Sequence, residues 1–301
     1  MILPSGAGIV TRFAPSPTGH LHLGHAYSAL LGYRAARDNA GRFLLRIEDI
    51  DRARCRAEFE TAIYEDLAWL GLQWEQPVRR QSDHFDDYRA ALARLDALGV
   101  LYPCFCSRKD IAAAASAPHP GREAAGETAL YPGTCRHLDP DLAAARKAAG
   151  DPFALRLDVA KALSRTGRLT FWDATPSDAA PSDAALDGWS EIRAEPERLG
   201  DVVLGRRDVP ASYHLCATLD DHLQGVTLVI RGEDLRPATH VHRLLQALLG
   251  LATPCYRHHL LLTNESGERL SKRDGAVALR SLRAKGMSAG AVRAMAGFDD
   301  A

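Results

Sequence analysis

Apolar and polar residues alternate along the first hundred positions in two periods, one of strands and one of helices. Ile9 to Phe13 is a short β-branched, apolar run, and Pro15, Pro17 and Gly19 then break it into a loop. Leu23, Tyr27, Leu30 and Leu31 at helical spacing predict a helix from about Gly24 to Asp38, stopped by Asn39-Ala40-Gly41. Arg42 to Ile47 reads as the next strand. Phe59, Ile63, Leu67 and Leu70 share one helix face, ended by Gly71. Ser82, as an N-cap, opens another helix through Phe85, Leu92 and Leu95 to Gly99. Near the far end, Val226 to Ile230 predicts a strand. Ala238 to Leu249 predicts a helix with Val241, Leu244, Leu245 and Leu248 on one side, and Arg257 to Thr263 a further strand. This β-α-β-α order implies a parallel sheet with crossover helices.

The middle has another texture. A Cys pair opens it, an Ala-rich stretch with scattered Pro and Gly follows, and Pro176-Ser-Asp-Ala-Ala180 repeats as Pro181-Ser-Asp-Ala-Ala185. Such a tract buries too little apolar area to offset its ordering entropy, so about 173–189 is expected to be a mobile loop. The organisation expected is therefore a sheet domain in two halves, 1–100 and 201–301, interrupted by an insertion at 101–200. Composition narrows the class. With 301 residues, 37 Lys+Arg and 38 Asp+Glu, the net charge is −1, so any nucleic acid must be met by local basic patches. No apolar run approaches the ~18–20 residues of a membrane helix. Met1 to Gly8 lacks a basic region followed by an apolar one. A cytoplasmic protein is expected, and its 6 cysteines read as metal ligands or core thiols rather than disulfides.

Two segments carry phosphate chemistry. Thr11-Arg-Phe-Ala-Pro-Ser-Pro-Thr-Gly-His-Leu-His-Leu-Gly-His25 joins a strand to a helix, where open α/β sheets bind ligands. Gly19 and Gly24 admit close backbone approach, and the helix start offers N–H groups and its positive dipole end. His22 and His25, with Ser16 and Thr18, add side-chain donors. A turn with surface histidines suffices for any one of these residues, but not for the set at this place. Arg269-Leu-Ser-Lys-Arg273 lies between Gly267 and Gly275, and Lys272 there suits charge that develops in a transition state. Alone, it is an ordinary basic loop.

Together, His22-Leu-Gly-His25 and Arg269-Leu-Ser-Lys-Arg273 resemble the two signatures of class I aminoacyl-tRNA synthetases. Arg12-Phe-Ala-Pro-Ser-Pro-Thr-Gly19, Arg46-Ile-Glu-Asp-Ile-Asp-Arg52, Tyr213-His-Leu and Arg231-Gly-Glu-Asp-Leu235 narrow the resemblance to the glutamyl/glutaminyl branch. It spans residues 11 to 273 and implies a Rossmann-like parallel-sheet catalytic domain. It also implies attack of an L-glutamate carboxylate on the α-phosphate of ATP, with substrate-borne Mg²⁺. His22, His25 and Lys272 are then the catalytic group. Thr18, Gly19, His22, Gly24, His25, Ser271 and Lys272 are the ATP contacts. Arg12, Phe13, Ala14, Pro15, Ser16, Glu48, Tyr213 and Arg231 are the glutamate contacts. Charge logic agrees: Arg12 and Arg231 suit a carboxylate bound by two donors, and Glu48 suits an ammonium. Asp49 and Asp51 read instead as strand-end ion pairs.

Cys104 and Cys106 flank Phe105, and Tyr131 and Cys135 follow about thirty residues later. Three thiolates leave one corner of a tetrahedron open; a tyrosine there is unusual, and His137 competes. Buried thiols beside a core tyrosine are the plainer alternative. The Cys-x-Cys…Tyr-x-x-x-Cys pattern resembles the glutamyl-queuosine tRNA(Asp) synthetase family, which implies one structural Zn²⁺ on Cys104, Cys106, Tyr131 and Cys135. Cys55, Cys216 and Cys255 are isolated.

Only 28 residues follow Arg273, against the ~50 or more a domain needs. No anticodon-binding domain is therefore expected. The resemblance implies transfer of glutamate to the queuosine base at the wobble position of tRNA(Asp), by a monomer. The alternatives are a glutamyl-tRNA synthetase-like enzyme charging a tRNA 3′ end, and a non-catalytic glutamate- or tRNA-binding paralogue. Arg79-Arg80 and Arg206-Arg207 are possible phosphate grips, though solvated arginines explain each pair more simply.

Overall fold

The computed structural model describes residues 8–107, 109–111, 130–174, 188–206, 209, 211–262 and 277–298. Strand β1 (Val10–Phe13) leads through a turn to helix α1 (Leu23–Arg37), and β2 (Arg42–Ile47) returns parallel to β1 with Val10 opposite Arg42. Helix α2 (Ala57–Trp69), the two-residue β3 (Arg79–Arg80) and α3 (Phe85–Ala97) follow. Ser82 is not the cap of α3, because it lies in a 3₁₀ turn and its hydroxyl donates to Asp49 at 2.6 Å.

The stretch 101–200 supplies β4 (Leu101–Cys104), α4 (Pro140–Ala148), β5 (Ala154–Leu157), α5 (Val159–Thr166), β6 (Thr170–Ala174) and β7 (Trp189–Arg193), and β8 (Val203–Arg206) follows it. Then come α6 (Tyr213–Leu223), β9 (Leu228–Gly232), α7 (Arg236–Leu249), β10 (Cys255–His259), α8 (Leu279–Ala284) and α9 (Ala289–Met295). Strands β4, β5 and β8 form a small antiparallel sheet, whereas β6 and β7 join the larger one in the order β7-β6-β10-β9. The stretch 101–200 thus lends two strands to the larger sheet rather than standing wholly apart from it. Strand β9 meets β1, where Thr227 N–H donates to the Val10 carbonyl at 3.0 Å. The last sheet strand starts two residues earlier than its apolar pattern predicts and ends at His259. The repeat at 176–185 lies outside the described residues.

Period two in the strands decides the packing. Phe43, Leu45, Leu228 and Ile230 point into one core with Leu30, Leu31 and Ile63. Leu44, Val229 and Tyr256 point into the other with Leu92, Leu215 and Leu244. Both faces are covered, as parallel strands require. At ~25 cal/mol per Å² of buried apolar area, these two cores provide the main driving force for folding. They fix the carboxyl ends of β1, β2, β9 and β10 beside one another.

Candidate active site

The strand ends open on a cavity of about 370 Å³. It is lined by Arg12, Phe13, Ala14, Pro15, Ser16, Glu48, Tyr213 and Arg231, all eight residues expected to hold the amino acid. Thr18, His22, Gly24 and His25 line it too. Gly19 belongs to the adjoining turn and is not among the lining residues. Ser271 and Lys272 lie outside the described residues. However, the described residues on either side of their segment are placed: Leu262 lines the cavity, and Ala278 pairs with His22.

The two histidines cap the helix that faces the cavity. Gly24 N–H donates to His22 Nδ1 at 3.2 Å, and His22 N–H donates to His25 Nδ1 at 3.2 Å. An Nδ1 that accepts carries no proton, so each ring keeps its proton on Nε2. Both imidazoles are therefore set as Nε2–H donors at the positive end of α1. Sequence spacing revealed the histidines but not this tautomer.

Arg12 and Arg231 have different surroundings. Arg12 Nε donates to Asp221 Oδ1 at 2.9 Å and Arg12 Nη1 to the Ile230 carbonyl at 3.3 Å. Asp221 also accepts from Arg46 at 2.7 Å, and Arg46 reaches Glu48 at 3.0 Å. Burial would raise the Asp221 carboxyl, but Arg12 and Arg46 outweigh it and hold the group below the usual carboxylate range. Glu48 is raised by burial, with Arg46 and Arg12 pulling the other way. Among the described residues Arg231 bonds to neutral groups: Tyr213 Oη at 3.0 Å, Thr239 Oγ1 at 2.6 Å, His258 Nε2 at 3.3 Å and His242 Nδ1 at 3.4 Å. Asp221, Arg46 and His258 were not among the predicted residues. The acidic pair Asp220-Asp221, directly after Leu215, Cys216 and Leu219, was the available signal for the first.

Asp49 accepts from Ser82 and pairs with Arg80 at 3.5 Å, and Asp51 pairs with Arg54 at 2.6 Å. Arg79 and Arg80 are both engaged in ion pairs, Arg79 half-buried and Arg80 exposed. Arg79 pairs with Asp220 at 2.8 Å and Asp87 at 2.7 Å, and Arg80 with Glu60 at 2.9 Å. Arg206 instead lines a second cleft of about 920 Å³, with Arg52, Arg54, Arg89 and Phe85. That cleft shares Ser16, Thr18, Glu48 and Tyr213 with the first cavity.

In the insertion, the Sγ atoms of Cys104, Cys106 and Cys135 lie within 4.8 Å of one another. The Cys106 and Cys135 sulfurs are 3.5 Å apart, and Tyr131 Oη lies 3.3 Å from Cys104 Sγ and 3.9 Å from Cys106 Sγ. Cys135 N–H donates to that oxygen at 2.8 Å. The Arg156 guanidinium stacks 3.7 Å above the Tyr131 ring. Burial would raise the Cys104 thiol, but Tyr131 and Arg156 bring it below its ordinary value; burial and Cys135 push Cys106 up to about 12. His137 is exposed and is not part of the group.

The family of tRNA synthetases class I (E and Q), catalytic domain, matches residues 8–295. A glutamate-tRNA synthetase from Elizabethkingia anophelis shares the fold with a TM-score of 0.71 at 27% identity, over 89% of this chain and 53% of that one. Fold and site thus define a ligase of the class I aminoacyl-tRNA synthetase type. The chain is 49% identical over 293 residues to the glutamyl-Q tRNA(Asp) synthetase of Rhodobacter capsulatus, covering 96% of this chain and 100% of that protein. It is also 38% identical to the glutamate–tRNA ligase of Aquifex aeolicus, but spans 54% of it. Within the class I family the chain belongs to the glutamyl-Q tRNA(Asp) synthetase group. No described helix is long and apolar enough to cross a membrane.

Proposed function

We propose that this protein uses ATP to activate L-glutamate as glutamyl-adenylate and transfers the glutamyl group to the queuosine base at the wobble position of tRNA(Asp), in the cytoplasm. One observation carries the reading: the charges suited to a dicarboxylic amino acid and the donor end of α1 line a single cavity. Arg231 and Arg12 bind the side-chain carboxylate, Tyr213 adds a hydroxyl, and Glu48 takes the ammonium. Phe13, Ala14, Pro15 and Ser16 form the wall. The substrate α-carboxylate is then left facing the α-phosphate. Its oxygen forms a bond to phosphorus as the bond to pyrophosphate breaks. His22 and His25 donate Nε2–H to the phosphate oxygens, and Thr18 and Gly24 complete that side. Lys272, with Ser271, neutralises the departing charge, a role supported by the placement of Leu262 and Ala278 around its segment. Mg²⁺ arrives with ATP and screens its phosphates. Such catalysis is positioning and charge stabilisation, without a covalent protein intermediate.

The second cleft is the route for the acceptor base. Its arginines suit phosphates, and Phe85 suits an unstacked base. It reaches the amino-acid cavity along Ser16, Thr18, Glu48 and Tyr213, where the activated carbonyl would lie.

The cysteine group would hold a structural Zn²⁺ on Cys104, Cys106, Tyr131 and Cys135. Tetrahedral coordination at a Zn–S distance of ~2.3 Å puts sulfurs ~3.8 Å apart. The 3.5 Å between Cys106 and Cys135 is close to that edge, and the 3.3 Å from Tyr131 Oη to Cys104 Sγ supports Tyr131 as the fourth ligand. The ion would tie β4 to the Tyr131–Cys135 loop, in a subdomain with little core of its own.

Incubation with ATP, labelled glutamate and fractionated tRNA, followed by nucleoside analysis, tests the reading. Label on the modified nucleoside of tRNA(Asp) is expected. Label on a terminal adenosine would establish ordinary charging instead, and no label on any RNA would favour a binding paralogue.

A further inference from the structure

The cavity's free positive charge depends on how Arg231 is held. Three adjacent strands each contribute one side chain to that support: Asp173 from β6, His258 from β10 and Arg231 from β9. His258 and Arg231 are direct register partners. The protons can be assigned along the row. Arg231 Nε–H donates to His258 Nε2 at 3.3 Å, so that nitrogen is unprotonated. The ring proton is then on Nδ1, which faces Asp173 Oδ2 at 3.0 Å and Oδ1 at 3.1 Å. Thr239 Oγ1 accepts from Arg231 Nη2 at 2.6 Å and lies 3.0 Å from the same His258 Nε2. On the other side, Arg231 Nη1 lies 3.4 Å from His242 Nδ1, and His242 Nε2 lies 3.3 Å from His214. His258 and His242 are buried, and desolvation lowers the basicity of both, so both rings stay neutral.

This is an unusual way to hold a buried arginine. A carboxylate would grip it more strongly, as Asp221 grips Arg12, but it would also cancel the charge. Asp173 pairs with Arg236 Nε at 3.3 Å, so its own charge is balanced on the far side of the imidazole. Among the described residues no carboxylate forms an ion pair with Arg231. We propose that Asp173 and His258 are positioning residues that fix the Arg231 guanidinium while leaving its charge unbalanced, and that this sets the preference for a side-chain carboxylate over the corresponding amide. The inference rests on the reading that the cavity takes glutamate.

The test is tRNA-free ATP–pyrophosphate exchange, with glutamate and with glutamine, on the full chain and three variants. In Asp173→Asn the amide no longer dictates the tautomer of His258. The glutamate KM should rise about tenfold, the effect of one misplaced hydrogen bond to a charged group, with the ATP KM within about twofold. His258→Glu puts a carboxylate against Arg231. It should raise the glutamate KM about a hundredfold and narrow the glutamate-over-glutamine preference by a similar factor. His258→Gln keeps an acceptor for Arg231 Nε and should stay nearer the wild type than either. Circular dichroism and melting check folding, and if His258→Glu does not fold, the other two decide. A wild-type exchange that needs glutamate, with variants showing unchanged glutamate KM or equal shifts for glutamate and ATP, would overturn this inference alone. A wild-type protein without glutamate-dependent exchange would overturn the functional reading and this inference with it.

Discussion

The strand-end cavity and the cysteine group both gather buried polar side chains, but they rest on different foundations. Behind the cavity stand two apolar cores that fix four strand ends. Arg12 and Glu48 are held there by Asp221 and Arg46, and among the described residues no carboxylate forms an ion pair with Arg231. Behind the cysteines, among the described residues, stands a small cluster of Tyr102, Cys104, Tyr131 and Cys135, with Cys106 and Ile111 against it. There the polar residues are themselves the support. Asp201 shows this well: it accepts from Tyr102 Oη at 2.5 Å, Arg136 Nε at 2.8 Å and the Val159 N–H at 3.1 Å. Where core is plentiful, polar groups can serve chemistry; where it is scarce, they hold the chain together.

Arg231→Ala should give the largest effect and the most selective one. It removes charge-assisted bonds worth about 1.5–3 kcal/mol each, so the glutamate KM should rise roughly 100-fold or more. The melting temperature and the ATP KM should change little, and equal shifts in both KM values would contradict the carboxylate role. His25→Ala comes next. It should slow adenylate formation about a hundredfold by removing a positioned donor, with little change in glutamate affinity. It also removes the acceptor for His22 N–H, so the melting temperature should fall by the few degrees of a lost cap, about 1 kcal/mol. Unchanged turnover per folded molecule would reduce His25 to a cap.

Removing the metal should invert this pattern. Chelation, or Cys135→Ser, is expected to release about one zinc per chain and to expose residues 101–157 to limited proteolysis. Tightly folded α1 and β2 should stay protected and glutamate activation largely intact. Metal analysis that finds none would remove the zinc reading.

The smallest effect is that of pH on stability. Burial holds His258 and His214 at about 4, whereas the unfolded chain takes up these protons near 6.5. The folded state therefore binds fewer protons across that interval. Stability present above pH 6.5 should be lost as pH falls towards 4. Urea midpoints measured along that range should decline, less steeply in His258→Gln; a flat profile would argue that these rings are not buried neutral.

Much of the scaffold could be read from the residues because its determinants are local. The short apolar runs placed β1 and β2 to within a residue, and Gly71 and Gly99 follow the helices they were expected to end. The cavity wall was legible through motifs at the strand ends. What escaped depends on distant pairing. Asp221 meets Arg12 across 209 positions, and His258 meets Asp173 across 85. Ser82 looked like a cap because Asp49, its actual partner, is 33 positions away. The start of the last sheet strand was missed because Cys255 and Tyr256 are buried by neighbouring strands rather than marked by local propensity.

The most direct measurement is ATP–pyrophosphate exchange by the purified protein without any RNA, amino acid by amino acid. Exchange that requires glutamate, is negligible with glutamine and disappears in Arg231→Ala is the expected result. Exchange that is indifferent to glutamate, or that survives Arg231→Ala at unchanged glutamate concentration, would contradict a shared cavity for nucleotide and acidic amino acid.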